Sequence, residues 1–311
     1  MTASPSTRNR QSIVAIGLAV AGLGLCACNS PTTSAGAPVR DTVAMAPIVS
    51  ASLAPSISNP STNAPRSTEA PTTTEAPTTT AESTTTTTTV PANIVNVGIF
   101  PVPVVAVGSG SGADTAVLQL RLAQLGFWTS PADGKFGLTT KQAVMAFQKY
   151  IGLEATGSVD DATAAYLTQL QVKGHGQADT GTLVEIDKAR QLLFIVVDGQ
   201  TVWVLNASTG NGLPFDEPDK NTPGGPNLTG VALTPDGMWK VNRERPDGWW
   251  EGDLGKIYRP KYFHGGIAIH GSNSVPNYPA SHGCVRVSVP AMDFIWDSGL
   301  IPMKIPVWVH S

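Results

Sequence analysis

The feature that most limits the fold of this chain is a long stretch of Thr, Pro, Ala and Ser between residues 29 and 91, ending in TEAPTTTEAPTTTAESTTTTTTVP. It has too few large apolar side chains to offset the entropy lost when a chain becomes ordered. Prolines stiffen such a segment and keep it extended. We therefore expect a tether over residues 29–110, although the apolar part at 94–107 could also be a short docked strand. Folded domains are expected only after it.

The N-terminus has the layout of an export signal. Arg8 and Arg10 precede an apolar run at residues 13–25, which is too short to span a bilayer comfortably. The next residues, Leu-Cys-Ala-Cys, resemble the bacterial lipobox, in which cleavage precedes a cysteine that receives diacylglycerol. Residues 1–28 would then end at a lipidated Cys28 that attaches the protein to the membrane. An ordinary signal peptide cleaved nearby is the alternative, since Cys26 is unusual in a lipobox.

Charge and cysteine content limit the classes of partner and of cross-link that this chain can have. Charged residues make up 14% of the chain and the formal net charge is −3, so no basic field is available to hold nucleic acid. If Cys26 leaves with the signal and Cys28 carries lipid, Cys284 is the one free thiol of the mature protein and cannot form an intramolecular disulfide.

Residues 114–170 carry a helical pattern, with Leu118, Leu122 and Leu125 on one face. Thr139 is placed to cap a second helix, and Asp160 a third. The phrase DGKFGLTTKQAVMAFQKYIGLEATGSVDDATAAYL resembles the three-helix peptidoglycan-binding module of cell-wall enzymes. This resemblance implies a small wall-binding domain over residues 111–172.

After a polar connector at residues 173–180, the pattern becomes alternating and β-branched, in TLVEID, QLLFIVV and QTVWVLN, with Asp198-Gly199 as a hairpin turn. Later segments continue this character, and residues 290–298 favour one helix. The fold class expected is α+β multidomain, with a three-helix bundle followed by a mostly-β sandwich over residues 181–311.

The stretch GGIAIHGSNSVPNYPASHGCVRVS, residues 265–288, holds the chemically informative side chains. A thiol with a pKa of about 8.5 needs a neighbouring imidazole to become a good nucleophile. His282 is two residues from Cys284, so its ring reaches the sulfur poorly, whereas His270 arrives from another strand with more freedom. Gly283 lets the backbone turn sharply and lets a substrate approach the sulfur.

Three other interpretations remain open for this stretch. His264, His270, His282 and Cys284 are chemically suitable zinc ligands, but their spacing matches no common zinc pattern. An NlpC/P60-type endopeptidase would place its cysteine before its histidines, the reverse of the order here. The third interpretation is a binding protein in which these side chains only pack and take no part in chemistry.

IHG followed by SHGCVR resembles the signature of the L,D-transpeptidase family, over about residues 182–310. The resemblance implies a β-sandwich in which Cys284 is the nucleophile, His270 the general base, and the carbonyl of Gly271 the group that orients His270. No metal or organic cofactor is expected.

The same resemblance implies roles for neighbouring residues. His282 and the backbone amides of Gly283 and Cys284 would line the oxyanion site. Three residues would contact substrate, namely Tyr262, Ser281 and Arg286. A Gly/Pro-rich insertion at 211–229 has no assigned role.

By this resemblance the enzyme would take a tetrapeptide stem of peptidoglycan, release D-alanine and form a cross-link through a thioester. Its partners would be the stem peptides and glycan of the wall, and the membrane through the lipid. Water as acceptor would make it a carboxypeptidase, and a degenerate catalytic domain would make it a structural wall-binding lipoprotein. The expected location is the outer face of the cytoplasmic membrane, reaching into the wall.

Overall fold

The computed structural model describes residues 90–311. The predicted export signal, the lipid site Cys28 and nearly all of the Thr-rich tether lie outside the described residues. None of the helices between residues 90 and 311 combines the length and the apolar character needed to cross a bilayer.

A three-helix bundle forms the first folded part, as predicted. Its helices are α1 (Ala113–Gln124), α2 (Leu138–Tyr150) and α3 (Asp161–Gln169). Asp160 caps α3 by accepting a hydrogen bond from Thr163 N at 2.8 Å. The predicted cap at Thr139 is wrong. Gly137 is the N-cap of α2 without any side-chain bond, because its extended backbone lets the helix begin at Leu138.

The apolar segment at residues 94–107 docks on this bundle. Val97 N donates to Gln171 O at 2.8 Å, and Lys173 N donates to Val95 O at 2.8 Å. Val104 is buried, and its amide is bound by the Thr168 hydroxyl. The predicted tether boundary at residue 110 is therefore too late, because the apolar side chains of this segment find partners on the bundle.

The second folded part is a mostly-β sandwich with one helix, which confirms the predicted fold class. The helix α4 (Val289–Ser298) is capped by the hydroxyl of Ser288. The strands, in chain order, are β1 (Leu183–Asp187), β2 (Leu192–Val197), β3 (Gln200–Asn206), β4 (Pro214–Glu217), β5 (Leu228–Val231), β6 (Gly237–Lys240), β7 (Arg243–Glu244), β8 (Trp249–Gly252), β9 (Gly255–His264), β10 (Ile267–Ser272), β11 (Val285–Ser288) and β12 (Pro306–His310).

Two sheets make the sandwich. The first has the order β3-β2-β1-β12-β6, and the second has the order β11-β10-β9-β7, with β8 also paired to β9. The strands β4 and β5 form a separate hairpin within the predicted insertion. β10 and β11 run parallel, which requires a crossover, and the loop 273–284 supplies it.

The strand β2 is buried on both faces. Leu193 and Ile195 point into the sandwich core, toward Ile269 of the second sheet. Leu192, Phe194 and Val196 point the other way and share a core with the helical bundle. This explains why QLLFIVV is a continuous apolar run rather than an alternating one. The two folded parts are thus joined by a common hydrophobic core.

The carboxylate of Glu185 also holds the connector at residues 173–180 in place. Glu185 is fully buried and accepts hydrogen bonds from the amides of Gln177 and Ala178, each at 2.9 Å, and from His310 Nε2 at 2.9 Å. A Cβ on Gly176 would lie 2.2 Å from this carboxylate, so only glycine fits there. These contacts fix the chain between the bundle and the sandwich.

The shared core predicts that the two parts unfold together. Phe194→Ala removes a ring on the bundle side of β2 and should cost about 3–5 kcal/mol, while Leu193→Ala on the sandwich side should cost about 2–5 kcal/mol. Urea unfolding followed by circular dichroism should show one transition shifted by either change. Gln200→Ala, at an exposed position, is the control. Two separate transitions, each sensitive to only one substitution, would contradict a common core.

Candidate active site

The predicted catalytic side chains lie on the outer face of the second sheet. His270 on β10 stands directly opposite Arg286 on β11. Side chains alternate along strands, so Cys284, two residues before Arg286, lies on the same face. Ile269 and Val285 point to the opposite face and fill the sandwich core. The parallel pairing of β10 and β11 therefore brings His270, Cys284 and Arg286 to one surface.

His270 is buried, with 3% of its surface exposed, and its Nδ1 lies 2.8 Å from the carbonyl oxygen of Gly271. Because a carbonyl can only accept, Nδ1 carries the hydrogen and Nε2 is left with its lone pair. A Cβ on Gly271 would lie 2.9 Å from the Tyr258 ring, so only glycine fits in β10 directly after His270. Burial lowers the pKa of His270 to about 4, against the effect of the Gly271 carbonyl. The imidazole is neutral at physiological pH.

The Cys284 thiol is half-buried beside β10. Its Sγ accepts from Ala268 N at 3.4 Å and lies 3.8 Å from Gly266 O. Burial raises the pKa of the thiol, and the Ala268 amide and the Arg286 guanidinium act in the opposite direction. No hydrogen bond joins Sγ to His270 among the described residues, and catalytic hydrogen bonds often tighten only once substrate is bound.

The turn that carries the thiol is held by two hydroxyls. Ser281 Oγ accepts from Gly283 N at 3.0 Å and donates to the carbonyl of Cys284. Thr234 Oγ1 donates to Gly283 O at 2.6 Å. Gly283 has φ +136°, and a Cβ there would lie 2.9 Å from Leu233 O. The amide of Gly283 is thus bound to Ser281 and not directed to an oxyanion, and Ser281 supports the turn as well as lining the cavity.

His282 is held by the insertion, which had no assigned role. Its Nε2 lies 2.8 Å from Glu217 Oε1 on β4, and its ring packs edge-on against Phe215 with centroids 5.2 Å apart. Glu217 and Phe215 were missed because nothing in the Gly/Pro-rich insertion indicates a partner 65 residues away in sequence. The ring nitrogen that faces Glu217 is occupied, which restricts how His282 can serve an oxyanion.

The hairpin β4–β5 also reaches the hairpin β8–β9. Asn221 Nδ2 donates to Asp253 Oδ1 at 2.6 Å, and Lys220 N donates to Asp253 O at 2.8 Å. The hairpin β8–β9 and the second sheet bound a cavity of about 460 Å³. Its lining includes His270, Ser281, His282, Cys284 and Arg286 from the predicted site, and Gly252–Ile257, Gly266, Ile267 and Ser272 around it.

Two sequence interpretations are not supported by this geometry. Tyr262 was expected in the substrate pocket, but it is buried in β9 and stacks against Arg243, whose guanidinium carbon lies 3.9 Å from the ring centroid. The zinc arrangement fails as well, since His264 packs on Trp239 with centroids 4.0 Å apart. Across residues 90–311, no three His, Cys, Asp or Glu side chains are grouped to hold a metal ion.

Comparison with known proteins gives consistent results. Residues 111–167 match the peptidoglycan-binding domain family, and residues 181–309 match the YkuD L,D-transpeptidase catalytic domain family. A solved L,D-transpeptidase from Xylanimonas cellulosilytica DSM 15894 is 41% identical, with 68% of this chain and all of that chain covered and a TM-score of 0.59.

Two further similarities are weaker. An L,D-transpeptidase from Stackebrandtia nassauensis is 22% identical, with 65% of this chain and 92% of that chain covered and a TM-score of 0.35. The N-acetylmuramoyl-L-alanine amidase CwlM of Mycobacterium tuberculosis is 43% identical over 65 residues, 20% of this chain. The chain spans only 16% of the length of that curated relative.

The contact between Glu217 and His282 makes a prediction about the histidine ring. Glu217→Ala should release Nε2 and let both neutral tautomers form, whereas Glu217→Gln keeps an oxygen that accepts the same hydrogen. Nitrogen NMR of ¹⁵N-histidine-labelled protein at alkaline pH distinguishes the tautomers. Asp216→Ala, on the same strand, is the matched control. Identical His282 signals in wild type and Glu217→Ala would show that the contact does not fix the ring.

Proposed function

The chain belongs to the L,D-transpeptidase family, and we propose that Cys284 is the nucleophile with which it forms peptidoglycan cross-links. As a cell-wall L,D-transpeptidase with a peptidoglycan-binding domain, it acts on peptidoglycan in the cell envelope. The observation that carries the proposal is one cavity lined by Cys284, by His270 with Nδ1 fixed on the Gly271 carbonyl, and by Arg286.

In the first half-reaction, the Cys284 thiol gives its proton to Nε2 of His270 as Sγ attacks the carbonyl carbon of the third residue of a tetrapeptide stem. The C–N bond then breaks, and D-alanine leaves with the proton that His270 returns to its amine. The stem remains on Sγ as a thioester. A neutral thiol and a neutral imidazole fit this order, because burial disfavours the charged form of each.

In the second half-reaction, an amine on the third residue of another stem attacks the thioester carbonyl. His270 removes a proton from this amine, the C–S bond breaks, and the thiol is regenerated. The oxyanion of both tetrahedral intermediates needs a donor, and with the Gly283 amide turned to Ser281 we assign this role to the Cys284 amide. Water in place of the amine would give carboxypeptidase activity.

Arg286 is proposed to bind a carboxylate of the stem peptide. Its side chain lines the cavity on the same sheet face as Cys284. A planar guanidinium can bind a carboxylate through two parallel hydrogen bonds, which fixes orientation as well as position. The donor peptide would in this way be held with its third residue at the sulfur.

The N-terminal features complete the proposal. An export signal, a lipid on Cys28 and an extended tether would hold the enzyme at the outer face of the membrane and let it reach into the wall. The peptidoglycan-binding domain would then raise the local concentration of substrate around the catalytic domain.

A direct assay incubates purified protein with disaccharide tetrapeptides and identifies the products by mass spectrometry. We expect release of D-alanine and formation of cross-linked dimers. Cys284→Ala should lower both by at least ~10³-fold, and His270→Gln by ~10²–10⁴-fold, because each removes a partner in proton transfer or attack.

His264→Gln is the matched control, since this histidine lies outside the cavity and should leave turnover unchanged. Release of D-alanine without dimers would favour the carboxypeptidase. Equal product from wild type and Cys284→Ala would reject the enzymatic proposal and favour a structural wall-binding protein.

A further inference from the structure

We propose that Lys149, in the peptidoglycan-binding bundle, is a positioning residue for the turn that carries Cys284. The bundle would then be part of the support of the catalytic site in addition to binding the wall. This inference rests on the proposed function, because it takes Cys284 as the nucleophile.

Lys149 lies in the last turn of α2 and reaches across to the sandwich. Its Nζ donates to three oxygens of that domain, at 3.1 Å to Gln191 O, 2.5 Å to Asn206 Oδ1 and 3.1 Å to Ala207 O. Burial lowers the pKa of Lys149 to about 7, and no carboxylate lies among these three partners. Lys149 has thus exchanged hydrogen bonds to water for bonds to three oxygens of the sandwich, and it links the bundle to the sandwich at this point.

The contact continues from Gln191 to the nucleophile. Gln191 is buried, and its side chain both donates to Thr209 Oγ1 at 2.7 Å and accepts from Thr209 N at 2.8 Å. The carbonyl of Thr209 accepts from Ser281 N at 2.9 Å. Ser281 Oγ in turn binds the amide of Gly283 and the carbonyl of Cys284. A continuous series of hydrogen bonds, through Gln191, Thr209 and Ser281, therefore links the Lys149 ammonium group to the turn that carries Cys284.

Gln191 adopts a conformation that needs support. Its φ of +56° lies in the left-handed region, which a residue with a side chain populates only when its surroundings impose it. The carbonyl oxygen of this residue is one of the three acceptors of Lys149. The ammonium group therefore stabilises the residue whose side chain holds Thr209.

A second set of contacts leads from the bundle to the loop between base and nucleophile. Gln142 on α2 donates to Val275 O at 3.1 Å, and Asn277 donates to Ala155 O at 3.0 Å. Asn206, a partner of Lys149, donates to Gln142 Oε1 at 2.6 Å. The loop that follows His270 and precedes Ser281 is thus bound by the bundle at two points, Val275 and Asn277.

Catalysis is sensitive to this support because a displacement of about 1 Å at the reacting atoms can cost about 100-fold in rate. Loss of the Lys149 contacts removes the ammonium donor from Asn206 Oδ1 and Ala207 O and leaves Gln191 O with the Ala207 amide as its donor. Gln191 is then held less firmly in its left-handed conformation. We expect the substitution to lower the rate at which Cys284 reacts once ligand is bound. The affinity for the ligand should not change, because Lys149 does not line the cavity.

The test measures acylation of Cys284 by a carbapenem in the full chain, by stopped-flow absorbance and intact-protein mass. Lys149→Met keeps an unbranched side chain of nearly the same length and removes its donors. We expect the acylation rate at saturating carbapenem to fall about 10- to 100-fold, with little change in the half-saturating concentration. Thr209→Val should lower the rate as well, and the double variant should be no slower than the slower single variant.

Two controls separate positioning from stability. Lys141→Met alters an exposed lysine of the same helix and should acylate like wild type. Val144→Ala opens the fully buried core of the bundle, so it should lower the melting temperature without lowering the rate at a temperature where it is folded. Binding to sacculi should be unchanged in Lys149→Met.

A folded Lys149→Met protein that acylates at the wild-type rate overturns the inference, as does full additivity with Thr209→Val. If Lys149→Met fails to fold, a wild-type rate in Thr209→Val overturns it. If wild-type protein is not acylated at Cys284 at all, the failure is that of the proposed function.

Discussion

The two-sided burial of β2 is the constraint on which the rest of the structure depends. Leu193 and Ile195 on one face, and Phe194 with its neighbours on the other, join the helical bundle and the sandwich through a single strand. A bundle of three short helices buries little surface by itself, and packing against β2 completes its core. The same packing places α2 beside the ends of β2 and β3, where Lys149 meets Gln191. The bundle and the sandwich are therefore joined by one strand whose two faces belong to two cores.

Within the site, burial has opposite effects on the pKa values of the proposed base, His270, and the proposed nucleophile, Cys284. It lowers the pKa of His270 and raises the pKa of Cys284, so both are uncharged near neutral pH. His270 is oriented by the peptide carbonyl of Gly271 and not by a carboxylate, so no fixed negative charge is present to stabilise an imidazolium. This arrangement favours proton transfer during attack over a standing thiolate–imidazolium pair.

The sequence alone predicted most of the fold, and most of the side chains it singled out for the site line one cavity. Period-two patterns located the strands, and Asp198-Gly199 forms the expected turn with positive φ at both residues, because that turn type demands it. The choice of His270 over His282 agrees with a site face on which Cys284 and Arg286 also lie.

What the sequence could not supply were contacts between distant segments. Glu217 reaches His282 from a loop without regular pattern, and Lys149 reaches Gln191 across two domains. Tyr262 was misplaced because, although it pairs with Ala268 on the face that carries His270, Arg243 covers its ring and keeps it out of the cavity.

The pH dependence of the second-order rate of Cys284 acylation by a carbapenem tests whether His270 is neutral before the thiol attacks. A protonated imidazole cannot accept the thiol proton, so the rate should stay level down to about pH 4, the pKa of His270, and fall tenfold per unit below it while the protein remains folded. An acid limb centred near the ordinary histidine value of 6.5 would contradict the account.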